Sequence, residues 1–207
     1  MTDLRTRQRD LARQSILDAC ADLITERRHL DFAMRDVAER AGVSLRTVYN
    51  HFATREDLLD ALGQDFDDQM AERGGPDARD LRSGDDLLAA VRTNLRLFDE
   101  LDGISEAIAQ MPLADVGRHA KRAERTRILV DHLAGLMPNV PADDAHTIAV
   151  VLRHLLSHRS WFWLTREYGL DVDEVADVIT WATATLVAAA EAGDLPSPDE
   201  LTQEETP

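Results

Sequence analysis

A chain of 207 residues, 44% of them hydrophobic, is long enough to bury a core as one large domain or as a small domain joined to a larger one. Its single cysteine, Cys20, excludes an internal disulfide framework, and its place in an apolar helical stripe makes it a core residue suited to a reducing cytoplasm. No apolar run approaches the roughly 20 residues needed to cross a bilayer, residues 1–10 are charged where a secretion signal would be apolar, and a formal charge of -16 argues at first sight against a polyanionic partner.

That charge is unevenly placed. Residues 1–55 hold 10 Arg and 8 Asp or Glu, a net +2, which leaves 13 basic and 31 acidic residues in 56–207, a net -18. A near-neutral head with arginines at Arg5, Arg7, Arg9 and Arg13 can approach phosphate, while an acidic body is repelled by it.

Apolar residues recur at three- and four-residue spacing almost throughout, so the expected fold class is all-α. A first helix spans about 7–28, with Ile16, Cys20, Leu23 and Ile24 on one face. A second covers about 34–41, Gly42-Val43 turn the chain, and Ser44 has the chemistry to cap a short third helix. The second helix lacks an obvious cap, since Ala33-Met34 stand at its start and only Asp31 lies behind them. The fourth begins near Arg55, carries Leu58, Leu62, Phe66 and Met70 at four-residue steps, and ends at Arg73-Gly74-Gly75-Pro76. Residues 74–84 read as a loop. Helical segments follow at about 85–101, 104–111, 113–137, 142–168 and 172–192, and the acidic, proline-bearing tail from 194 reads as disordered.

The informative stretch runs from Val37 to Phe52. A helix-turn-helix needs a small residue where its helices cross, a glycine at the turn and apolar residues locking the pair, supplied here by Ala38, Gly42 and the set Val37, Val43, Val48 and Phe52. Leu45, Arg46, Thr47, Tyr49 and Asn50 are left facing outward on a helix that can enter a major groove.

Residues 9–62 resemble the DNA-binding domain of the TetR family. The likeness lies in the turn Ala41-Gly42-Val43-Ser44, in Tyr49-Asn50-His51-Phe52, and in Arg55 followed by Glu56-Asp57-Leu58-Leu59. The resemblance implies a DNA-binding domain over 1–62, a helical effector-sensing and dimerisation domain over 63–193, and a tail over 194–207. It implies a cytoplasmic homodimer whose partners are operator DNA, in the form of an inverted repeat, and a small-molecule effector, with no enzymatic activity and no cofactor. By position it gives Leu45, Arg46, Thr47 and Asn50 to the groove and Arg35, Tyr49, His51 and Arg55 to the phosphates, with Ser44 also among the DNA-binding residues. Arginine pairs bidentately with guanine, and the amides opening the fourth helix attract phosphate.

For the effector the sequence suggests a largely apolar pocket between Phe98, Met111, Ile128 and the stretch holding Val151, His154, His158 and Trp161. Trp161, Phe162 and Trp163 read first as core aromatics. His154 and His158, one turn apart on a single expected helix with His146 two turns above, do not make up a complete metal site, because the sequence identifies no further ligands. The alternatives are a DNA-binding protein without any ligand, either an architectural factor or a regulator controlled by a protein partner, and, more remotely, an enzyme built on His154 and His158.

Overall fold

The computed structural model describes residues 4–77, 80–110 and 120–195, and every regular element among them is helical. Helices α1 (Leu4–Arg27), α2 (Met34–Arg40) and α3 (Leu45–His51) form the head. The long α4 (Arg55–Glu72) leads into the body, which comprises α5 (Gly84–Glu100), α6 (Asp102–Gln110), α7 (Ala120–Gly135), α8 (Ala142–Leu155), α9 (His158–Phe162) and α10 (Val172–Glu191). Helix α9 runs without a break into one π-helical turn, Trp163–Glu167.

Local chemistry explains most of the starts. Thr54 and Asp57 cap α4 reciprocally, Thr54 Oγ1 accepting from Asp57 N at 3.0 Å and the Asp57 carboxylate accepting from Thr54 N at 2.9 Å. Ser83 caps α5 through Asp86 N, and the Asp171 carboxylate caps α10 through the amides of Asp173 and Glu174. Helix α2 is capped by neither Ala33 nor Asp31: the Asp36 carboxylate reaches back to accept from Ala33 N at 3.2 Å, and Arg27 pairs with that carboxylate at 2.9 Å.

Among the described residues the body departs from the expected segments at one point, while the expected helical residues 111 and 113–119 lie outside them. The apolar pattern over 142–168 suggests a single helix, yet α8 stops at Leu155 and Ser157 opens α9, its Oγ accepting from Ser160 N at 3.3 Å. The expected tail is described only as far as Leu195, and residues 196–207 lie outside the described residues.

Packing sets α10 along α5, α7 along α8, and α6 between the head helix α1 and α9. Ion pairs join Arg92 to Asp177 and Arg96 to Asp173 across the first of these contacts. Buried side chains form one connected core that runs from Ile16 and Leu17 in α1 through Leu58, Leu62 and Phe66 in α4 to Trp161 and Ile179.

Candidate nucleic-acid interface

The head is built around its turn. Val37, Ala38, Val48 and Phe52 are buried in one core with Ile16, Cys20 and Ile24 of α1, which holds α2 and α3 together. Gly42 has φ +67°, the left-handed conformation that lets α2 end, while Val43 N donates to Ala38 O at 3.0 Å. Ser44 then opens α3: its Oγ accepts from Thr47 N at 3.0 Å and sits 2.8 Å from the Thr47 hydroxyl. Thr47 is therefore half-buried and engaged, while Leu45, Arg46, Tyr49 and Asn50 stand exposed on α3.

Head arginines divide into two groups. Arg40 pairs with Glu26 and Asp22, Arg27 pairs with Asp36, and these contacts strap α2 to α1. The Arg40 guanidinium holds the Glu26 carboxyl below its ordinary range, and the Ala33 amide and then Arg27 do the same for Asp36. Arg55 also turns inward. Its guanidinium donates to Leu30 O and lies 4.6 Å from the centre of the Phe32 ring, so its side chain clamps the α1–α2 connection. Phosphate near this point would meet the amides at the start of α4 and not a freely extended arginine.

Around α3 the second group remains outward. Arg35 and Arg46 are exposed, as are Arg7 and Arg9; the Arg5 side chain lies outside the described residues. Arg13 lies over the Phe52 ring at 5.6 Å, which places the N-terminal part of α1 beside the end of α3. His51 feels this: burial first, and then the charges of Arg9 and Arg13, push its imidazole below its ordinary value. The result is a surface bearing several cations and hydrogen-bonding side chains, with a neutral histidine among them. Such a surface can bind phosphate oxygens and read base edges. Cys20 sits behind it, its thiol pushed up to about 12 by burial, and is chemically inert.

The expected effector residues are not brought together as one lining. Phe98, His158 and Trp161 meet, and Phe66 of α4, which the sequence left out of the site, joins them. The His158 ring lies 4.4 Å from Phe98 and 4.6 Å from Phe66, centre to centre. Ile128 and Val151 are 43% and 47% exposed on α7 and α8, and His154 is exposed as well. The break after Leu155 interrupts the single face on which one continuous helix would carry Val151, His154, His158 and Trp161. The His154 carbonyl accepts from the hydroxyls of Ser157 and Ser160 and so holds the corner. Met111 lies outside the described residues. Among the described residues no group of three or more His, Cys, Asp or Glu is placed to hold a metal ion, and no helix is long and apolar enough to cross a membrane.

Comparison with known proteins agrees with this architecture. Residues 16–62 match the model of bacterial regulatory proteins of the tetR family. An uncharacterized HTH-type transcriptional regulator of Mycobacterium tuberculosis is 32% identical over 153 residues, covering 70% of this chain and 71% of that protein. The HTH-type transcriptional repressor KstR of Rhodococcus jostii is 26% identical over 167 residues, covering 79% and 78%. A TetR-family regulator from Rhodococcus sp. superposes with a TM-score of 0.64 at 26% identity, covering 85% of this chain and 98% of the other. With the helix-turn-helix match at the head and likeness to full-length relatives over most of the remaining helices, this chain belongs to the TetR family of DNA-binding transcriptional regulators.

Proposed function

We propose that the chain acts as a homodimeric repressor that holds an inverted-repeat operator through two copies of α3 and releases it when a small molecule occupies the body. The observation that carries the DNA half of this reading is the two-sidedness of α3: Val48 is buried while Leu45, Arg46, Tyr49 and Asn50 are exposed. In this reading Leu45, Arg46, Thr47 and Asn50 face the groove from a helix opened by Ser44. Arg35, Tyr49, His51 and the amino-terminal end of α4 at Arg55 meet the phosphates. The repressor sign is supported by a relative that carries that description. The functional boundary falls within α4, with residues 1–62 serving DNA and 63–193 serving the effector and the dimer.

The two-fold contact in this reading is made by α8 and α10. Val150 and Val151 on α8 are exposed apolar side chains, as are Val178 at 61% and Trp181 at 67%, three residues apart on α10. Two copies of such a pair of helices bury each other in a four-helix interface. The effector would act at Phe98, His158 and Trp161, because Phe66 ties that cluster to α4 and α4 carries the head.

The reading is tested with a duplex selected from random-sequence DNA by the protein itself. An inverted repeat bound by two subunits, and released in a screen of small organic compounds, is the expected result. Ligand and DNA must then weaken each other by the same factor, about 5- to 150-fold for a typical coupling. Compounds that bind without moving operator affinity would reject effector release and favour a regulator governed by a protein partner.

A further inference from the structure

The end of α9 grips two parts of the molecule at once. Within the π-turn Trp163–Glu167, Arg166 lies 4.8 Å over the Trp161 ring and donates to Asp99 at the end of α5 (3.0 Å) and Asp102 at the start of α6 (2.6 Å). The very next residue, Glu167, accepts from Arg28 of the head at 2.9 Å. Arg28 is the first residue past α1 and has φ 53°, a left-handed conformation that a non-glycine residue adopts at a cost, so the way α1 ends sets where its side chain leaves the backbone. One turn earlier, Thr25 donates to Gly103 O of α6 at 3.4 Å, which puts the same end of α1 against the same seam.

We infer that this π-turn links the aromatic cluster of the body to the head, Arg166 sensing Trp161 and Glu167 passing its position to α1 through Arg28. The inference rests on the effector reading above and names how that site is coupled. Tyr168 N donates to Trp163 O at 2.9 Å and Leu170 N to Leu164 O at 3.0 Å, so Arg166 and Glu167 belong to one hydrogen-bonded unit and move together. A π-turn also has a second arrangement near at hand: a slip of one residue restores α-helical register and turns both side chains about 100° around the axis. That supplies a discrete two-state element, which energetic coupling between distant sites requires. The Arg28–Glu167 pair is partly solvent-exposed, so it is easily opened and adds little to the resting fold.

The test uses the full-length chain and the duplex it selects, with amide hydrogen exchange over 158–170 as the readout. Binding of the duplex at the head is expected to change exchange in the π-turn of the native protein. In Glu167→Gln that response should fall roughly twofold or more although the duplex is still bound and the thermal midpoint is unchanged, and the swapped pair Arg28→Glu with Glu167→Arg should restore it. An undiminished response in Glu167→Gln, or no response in the native chain while DNA is bound, overturns the inference and leaves transmission to α4 through Phe66. A chain that selects no duplex at all overturns the DNA-binding reading itself, and the inference with it.

Discussion

Arginine serves two purposes in the head, and only the fold separates them. The resemblance gives both Arg46 and Arg55 to the DNA, but Arg55 is anchored by Leu30 and Phe32, more than twenty residues back in the chain, while among the described residues no carboxylate pairs with Arg46. Arg46→Ala is therefore expected to flatten the preference among operator variants by about 1 to 3 kcal/mol if the side chain pairs with a guanine, read by competition binding. Unchanged preference and affinity would show that α3 docks differently. Arg55→Ala should instead lower the thermal midpoint. His51 gives a pH dependence. Its folded-state value is depressed, so its contribution to stability is present above the unfolded value of about 6.5 and is lost as pH falls through the folded one. Phosphates beside Arg9 and Arg13 would offset their charge and favour the proton, so operator affinity should rise as pH falls toward the depressed His51 value, and His51→Gln should remove that rise. Glu106 on α6 behaves oppositely. Burial first, and then Asp102, raise its carboxyl, so its contribution is full below the unfolded value of about 4.3 and lost as pH climbs through the folded one. Glu106→Gln should accordingly raise the melting temperature at neutral pH and lose that advantage in acid; an unchanged melting temperature at neutral pH would count against this account.

Helices whose boundaries rest on short-range chemistry are legible in the sequence. The turn at Gly42, the cap at Ser44 and the stop at Gly74-Gly75 each depend on neighbours a few residues away, and α1 to α4 lie close to where periodicity puts them. The corner at Leu156-Ser157 is not legible, because apolar residues continue on both sides of it and one serine inside a helix is unremarkable in a linear reading. That single omission also keeps Val151 and His154 on one expected helix with His158 and Trp161, residues that the structure divides between α8 and α9. The π-turn leaves no pattern in the sequence at all. Two glycines in and after α4 allow a paired check. A Cβ on Gly75 would stand 2.7 Å from the Met70 carbonyl oxygen, a backbone atom with little freedom to retreat, whereas at Gly63 nothing lies within 4 Å. Gly75→Ala is expected to destabilise by about 1 to 3 kcal/mol, and Gly63→Ala, inside α4, to stabilise by about 0.5 to 1 kcal/mol, both by denaturant unfolding. Equal effects of one sign would contradict the described path of the chain after α4.

In the proposed homodimer a second subunit covers the exposed apolar stripe of α10, Val178 and Trp181. Trp181→Glu would place a charge where the proposed partner helix lies, and light scattering should then report monomers at micromolar concentration, with operator affinity falling by at least about tenfold as the two heads lose their fixed spacing. A dimer that survives this change would move the interface elsewhere. The charge asymmetry between head and body is open to counting alone, and the family likeness of residues 9–62 to matching motif residues; the assignment of particular body residues to particular surfaces is open to neither, because it depends on which of several apolar faces meets which neighbour. The unbroken core running from Ile16 through Leu58, Leu62 and Phe66 to Trp161 has a thermodynamic meaning of its own. Head and body share their buried side chains across α4, so they should melt as one cooperative unit, with a single calorimetric transition whose van't Hoff and measured enthalpies agree once dimer dissociation is included. Under the proposed effector release, a compound that tightens the body would also protect the head from heat while loosening its hold on DNA, so that thermal stability and operator affinity move in opposite directions along a series of effectors.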